Sequence, residues 1–183
     1  VFTIDEAIIL RKEGVKCPIL IFSKIQKEWL DLAYKHKLWI NACDYEDLKL
    51  LSQVYHEKGF CPEIHLEFDT GMTRLGFSVS DHDKIFQYII DNSFLNVIGI
   101  YSHFATADEG ELSYAKYQLS LFNEVLEKSK KMGINFQYIH CSNSGSILNL
   151  SSSFFNTIRV GMLAYGVAPS NEVKMSIDVE PVM

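Results

Sequence analysis

Residues 65–77 read HLEFDTGMTRLGF. The first half has the texture of a strand, with His65, Leu66 and Phe68 among apolar or aromatic neighbours. Asp69, Thr70 and Gly71 then break the pattern, and Arg74 falls in a turn before Leu75 and Phe77 resume packing. Ordinary turns use Asp and Gly freely and have no need of an arginine beside a core strand. A turn that gathers polar groups where a strand ends is a common way to build a site. The fold depends on whether the rest of the chain repeats this arrangement.

It does. Strand-like runs occur at 18–22 (PILIF), 38–43 (LWINAC), 63–69 (EIHLEFD), 96–104 (NVIGIYSHF), 137–142 (QYIHCS) and 157–165 (TIRVGMLAY). Several are continuously apolar over four or five residues, as parallel strands buried on both faces are. Helical patterns lie between them at 26–36, 44–58, 80–92 and 113–132, with a short one near 144–150. Asp44 and Ser80 are placed as N-caps, and Gly59 and Gly133 as C-terminal stops. The alternation predicts right-handed βαβ units and a parallel sheet.

A closed eight-stranded barrel takes about 250 residues, roughly thirty per unit, and this chain of 183 supplies about six units. The expected fold is therefore α/β, a TIM (β/α)8-type barrel that is incomplete, its first strands missing. The edges of the runs at 18–22 and 157–165 should then be open. The alternative, an open doubly wound sheet, usually carries a Gly-rich phosphate turn after its first strand, and no GxGxxG occurs here. The chain opens on TIDEAIILRKEG at 3–14, where Thr3 and Glu6 form a capping box. A chain opening in this way is expected to be a piece of something longer.

Ligands of parallel sheets sit at the carboxyl ends of the strands. Asp69, Thr70 and Arg74 follow the third run, His103 closes the fourth, Asn143 and Ser144 follow the fifth, and Arg159 and Gly161 lie within the last. Singly, each has a structural explanation: a core histidine, a helix cap, a tight turn. Arg159, between Ile158 and Val160, must find acceptors or burial costs several kcal/mol or more. Four such coincidences at one end of a sheet point to a shared site. Ser144 and the backbone N–H groups around Gly161 and Met162 suit a phosphate. His103 suits a heteroaromatic ring, Arg159 a ring nitrogen or carboxylate, and Arg74 a substrate carboxylate or a cofactor hydroxyl. No nucleophile or proton-transfer residue stands out.

Composition narrows the class. Hydrophobic residues make up 48% and charged residues 22%, ordinary for a globular domain. A formal charge of −6 without basic runs argues against nucleic-acid binding. No apolar stretch approaches the roughly 18 residues of a membrane span. Asp5 and Glu6 occupy the place of a signal peptide's basic region. Cys17, Cys43, Cys61 and Cys141 lack CxxC spacing and are expected to be reduced thiols of a cytoplasmic protein, without metal.

Four motifs, in order, resemble the alanine racemase family. HLEFDTGMTRLGF is similar to its DTGMxRLG strand, GIYSHFATADE at 99–109 to its segment ending THFATADE, HCSNSGS at 140–146 to its H-x-x-NS turn, and IRVGMLAYGVAPS at 158–170 to its R-x-G-x-x-x-YG strand. The resemblance implies a pyridoxal 5′-phosphate barrel over residues 1–166, with 167–183 leading through DVEPVM into a C-terminal β-domain. It implies that Arg159 faces the pyridine nitrogen, supported by His140, with His103 beside the ring. Ser144, Gly161 and Met162 would hold the phosphate, with Asn143 nearby, and Arg74 would bind the cofactor's phenolic oxygen and the substrate carboxylate. Catalytic roles are expected for Arg74, His103 and Arg159.

Two departures stand out. The family commonly has a lysine, often carbamylated, where this chain has Glu67, which offers a permanent carboxylate on the strand face of Asp69. The family's Schiff-base lysine segment is absent, as is the opposing tyrosine of the partner subunit's β-domain, so the segment alone is expected to be inactive. The implied parent is a cytoplasmic homodimer that interconverts L- and D-alanine by two-base proton transfer and supplies D-alanine for peptidoglycan. Its substrate is a small amino acid, with neither nucleic acid nor direct membrane contact involved. Three alternatives remain open: a serine racemase, including membrane-anchored forms of the glycopeptide-resistance type, a non-catalytic pyridoxal phosphate carrier, and a truncated interaction domain.

Overall fold

The computed structural model describes residues 1–180. The helices and strands follow in the order α1 (Ile4–Lys12), β1 (Leu20–Lys24), α2 (Leu30–Lys35), β2 (Trp39–Ala42), α3 (Tyr45–Lys58), β3 (Ile64–Asp69), β4 (Phe77–Ser78), α4 (His82–Asp91), β5 (Val97–Tyr101), α5 (Ser113–Lys131), β6 (Tyr138–His140) and α6 (Ser144–Asn149). Every strand pair is parallel, and the lateral order is β1-β2-β3-β5-β6 with β4 beside the end of β3. A doubly wound sheet must reverse its strand order at a switch point. Here the order never reverses, which is the wall of a barrel.

The two faces of this wall differ, because side chains alternate along a strand. Ile40, Ala42, Ile64, Leu66, Phe68 and Ile100 are buried in one hydrophobic core with Leu48 and Leu51 of α3, Ile85 and Phe86 of α4 and Phe122 of α5. The Phe68 and Phe86 rings lie 5.8 Å apart across that layer. The opposite face carries Trp39, Asn41, His65, Glu67, Tyr101, Tyr138 and His140. Register sets Asn41 beside His65, Glu67 beside Tyr101, and Tyr101 beside His140. Most of this second face is buried as expected, with Trp39 and Tyr138 half-buried, but it is polar and aromatic.

Local signals explain most boundaries. Thr3 and Glu6 close the capping box of α1, and Asp44 and Asp47 close that of α3. Asp47 Oδ2 also accepts the Cys43 N–H at 3.0 Å, and Asp44 pairs with Lys24. Gly59 ends α3 in the left-handed conformation, with φ of 76°. Asp69 Oδ1 accepts the N–H groups of Gly71 and Thr73 at 2.9 and 3.0 Å, which shapes the turn after β3. All four cysteines are free thiols.

Three expectations are corrected. Ser80 does not cap α4: it lies inside a 3-10 turn, Val79–Asp81, with its hydroxyl 2.8 Å from Ser78 Oγ, instead of in the extended backbone a cap requires. Residues 157–165 are not a strand but an extended segment ending in a 3-10 turn, Met162–Tyr165. Asn156 occupies the edge of β6 instead, its side chain accepting the Ile139 N–H at 2.7 Å and donating to the Gln137 carbonyl at 2.9 Å. One backbone bond, Arg159 N–H to the Ser142 carbonyl at 2.9 Å, holds the segment beyond it. The edge of β1 is partly covered, since Phe22 and Ser23 donate to the carbonyls of Val1 and Phe2 at 3.1 and 3.0 Å. Of the expected connection at 167–183, residues 181–183 lie outside the described residues.

Candidate functional site

A cavity of about 570 Å³ opens at the carboxyl end of the sheet. Its lining includes Glu67, Arg74, His103, Asn143, Ser144, Arg159, Gly161 and Met162, whereas Asp69, Thr70 and His140, also selected from the sequence, do not border it. These residues come from the end of β3 and its turn, the second residue past β5, the start of α6 and the 157–165 segment. The volume is within the roughly 300–1,000 Å³ of small-molecule pockets.

Arg159 is the best-anchored group. Nη1 lies 2.7 Å from His140 Nδ1 and donates to the His140 carbonyl at 3.2 Å. Nη2 donates to the Ser102 and Cys141 carbonyls at 2.8 and 3.4 Å and lies 3.1 Å from His103 Nδ1. The guanidinium also sits over the Tyr101 ring, 5.2 Å from its centroid. Nε–H makes no bond to protein among the described residues and is not enclosed, which leaves it as the donor available to a ligand. Burial pulls the Arg159 pKa down, and the neighbouring Tyr101 and Cys141 act in the opposite sense. An arginine stays charged in either case.

That charge sets the titration of its neighbours. Burial and then Arg159 depress His103 to about 4, and Arg74 adds to the effect. His140 falls to about 2 through burial, Arg159 and His65, in that order. Both imidazoles are neutral near pH 7. Because an arginine only donates, Nδ1 of each ring is the acceptor and the proton sits on Nε2.

Glu67 is buried, and its Oε2 accepts from Asn41 Nδ2 at 2.8 Å. Burial raises its pKa, opposed by the Asn41 bond and by the charges of Arg74 and Arg159. The Tyr101 hydroxyl lies beside Glu67 yet is buried without a well-formed hydrogen bond among the described residues. Arg74 is exposed to the cavity and makes no ion pair among the described residues. Glu67 therefore reaches Arg74 through space, without direct contact.

Asn143 caps a helix and also borders the cavity. Its side chain accepts the Ser146 N–H at 3.1 Å as the N-cap of α6, and its Nδ2 donates to the Phe104 carbonyl at 3.3 Å. Ser144 Oγ accepts the N–H groups of Gly161 and Leu163 at 3.1 and 3.4 Å, which ties the start of α6 to the 157–165 segment. A side chain on Gly145 would strike the Ala107–Asp108 backbone at 2.7–2.9 Å, so backbone packs closely there.

The sequence reading missed Phe22, Met72 and Tyr101, which also line the cavity. Tyr101 was findable, since it precedes His103 by two residues and shares a face with Glu67 in register. Met72 lies within the DTGMxRLG stretch, whereas Phe22 carries no comparable signal.

Residues 1–169 match the family described as "Alanine racemase, N-terminal domain". The chain is 35% identical to alanine racemase 2 of Caldanaerobacter subterraneus subsp. tengcongensis, over 100% of this chain and 47% of that protein. It is 34% identical to alanine racemase 1 of Bacillus subtilis, over 95% of this chain and 44% of that one. It thus spans about half the length of the curated relatives it matches. Among solved structures, alanine racemase of Clostridium difficile 630 superposes with a TM-score of 0.91 at 28% identity, covering 99% of this chain and 48% of that one. The enzyme from E. faecalis superposes with a TM-score of 0.88 at 33% identity, covering 99% and 49%.

Proposed function

This chain belongs to the alanine racemase family, and from that premise we propose that its cavity is the cofactor-binding side of a pyridoxal 5′-phosphate-dependent racemase acting on alanine. The observation that carries the reading is the meeting of Arg74, His103, Asn143 and Arg159 around one cavity, although they lie far apart along the chain. Structures of relatives are described with cycloserine and with L-Ala-P, both amino-acid-like ligands.

The residues fit the cofactor. Arg159 Nε–H suits a ring nitrogen, His103 borders the ring site, and the Ser144–Gly161–Met162 corner suits the phosphate. Pyridoxal phosphate, when bound, delocalises the charge left as the substrate's α-proton departs. Arg159 only donates and keeps its proton, so it would leave the ring nitrogen of a bound cofactor unprotonated and would limit that delocalisation. Arg74, unpaired and facing the cavity, is the group for the substrate carboxylate. Glu67 supplies the negative field that orients Arg74.

No lysine lines the cavity among the described residues, and the Tyr101 ring lies against the Arg159 guanidinium with its hydroxyl buried beside Glu67. The two bases that remove and return the α-proton are therefore assigned to the remainder of the protein, and this segment alone is inactive. The whole protein is read as a cytoplasmic homodimer that supplies D-alanine for peptidoglycan, with 167–183 leading into a β-domain. No described helix is long and apolar enough to cross a membrane.

The test is a titration of the full-length protein with pyridoxal phosphate, followed by racemisation assays on L-alanine and L-serine. Saturable binding with alanine preferred is expected. Failure to bind the cofactor overturns the reading, and a preference for serine moves the substrate.

A further inference from the structure

Behind Arg159 the hydrogen bonds continue away from the cavity. His140 Nε2 lies 3.0 Å from His65 Nδ1, near the start of β3. The direction of this chain is fixed at one end. The guanidinium donates to His140 Nδ1 and accepts nothing, so a neutral His140 carries its proton on Nε2. That proton must be donated to His65 Nδ1, and His65 in turn carries its own on Nε2. His65 Nε2 is buried and has no partner among the described residues. A histidine retained purely for packing would not leave its N–H stranded in an interior, since such a group loses its hydration without compensation.

The surroundings hold the His65 ring in this pose. Residue 65 is 1% exposed, and its ring stacks against Trp39 at 5.0 Å and against Tyr138 at 5.7 Å, both at 26°. Gly99 provides the room, because a Cβ there would lie 2.2 Å from His65 Nδ1. Among the described residues no other titratable group makes a hydrogen bond to the ring.

We propose that His65 is a positioning residue for Arg159: by accepting the His140 Nε2 proton it fixes the His140 ring with Nδ1 toward Nη1, which leaves Arg159 Nε facing the cavity. The assignment rests on the reading of Arg159 as the partner of the ring nitrogen.

Two measurements test it. In the full-length protein labelled with 15N-histidine, long-range 1H–15N spectra at pH 7.5 should show His65, His103 and His140 as neutral Nε2–H tautomers. A His140 protonated on Nδ1 overturns the proposal, whatever the activity. The second measurement compares His65→Asn, which keeps an acceptor near the Nδ1 position, with His65→Phe, which keeps the ring but has no acceptor. His65→Phe should weaken pyridoxal phosphate binding and lower kcat by roughly tenfold, the worth of one buried hydrogen bond, with little change in KM for alanine. His65→Asn should recover most of that loss. Equal impairment of both variants, or none in His65→Phe, overturns the proposal. If the wild-type protein neither binds the cofactor nor racemises alanine, the functional reading fails while the spectra still decide the tautomers.

Discussion

Gly99 and His65 face each other in register across β5 and β3, and a methyl group on residue 99 would lie 2.2 Å from His65 Nδ1. The missing side chain is the space in which the imidazole lies. Gly99→Ala must displace a ring held between two aromatic side chains and hydrogen-bonded to His140. Overpacking of this kind costs about 1–3 kcal/mol. The expected result in urea unfolding is a lower midpoint with an unchanged slope, and an unaltered midpoint would refute the contact.

The buried histidines make stability fall in acid. The reference value is 6.5, and in the folded chain His65 is depressed to about 4 and His140 to about 2. Between those values the unfolded chain binds protons that the folded chain refuses, so stability rises with pH. Their contribution is fully present above about pH 6.5. It is lost as pH drops, by as much as about 1.4 kcal/mol per group per unit, down to about 4 for His65 and about 2 for His140. Urea midpoints at pH 7.5, 6.5 and 5.5 should fall mainly between the last two. A midpoint constant over that interval would contradict the burial of these rings.

Replacing Arg159 with Lys keeps a positive charge and removes the planar fork that meets His140, Ser102 and His103 together. Racemisation by the full-length protein should fall by about 10²-fold or more, the scale of losing a directed donor at a reacting centre. Weaker cofactor binding should accompany the loss, read from the absorbance of bound pyridoxal phosphate. Near-normal turnover in Arg159→Lys would remove Arg159 from the mechanism.

Glu67 is a carboxylic side chain that needs no modification to become an anion; burial raises its pKa, and the Asn41 bond with the charges of Arg74 and Arg159 opposes that rise. Activity of the full-length protein should therefore be the same in carbon-dioxide-free buffer and in buffer with added bicarbonate. Glu67→Gln keeps the shape but removes the field on Arg74, and it should raise KM for alanine more than it lowers kcat. Stimulation of the wild-type protein by bicarbonate would show that Glu67 does not replace a carbamylated lysine.

Asn143→Ala removes the N-cap of α6, for which a loss of about 0.5–2 kcal/mol is usual. Asn143→Ser retains a capping oxygen and should recover most of that stability in the same unfolding assay. If the two variants are equally unstable, the cap is not what holds α6 in place.

Much of this protein was legible before any coordinates. Alternating strand and helix patterns specified parallel βαβ units because hydrophobic period and turn residues act locally. Asp44, Thr3 and Gly59 marked helix ends for the same reason, since a cap depends only on residues within one turn. The site residues could be selected because parallel strands deliver their carboxyl ends to one side, so chain position already carried spatial meaning. The 157–165 run was misread as a strand, because its apolar, β-branched residues say nothing about whether a neighbouring edge is free. Asn156 had taken the edge of β6. Nor did the sequence disclose that one sheet face is a stack of aromatic and imidazole rings, or that Arg159, His140 and His65 form one directed chain. Those relations depend on register between strands about 35 to 75 residues apart and on how the 157–165 segment lies against the residues after β6. Only packing sets that register, and it determines which lone pair each buried N–H can reach.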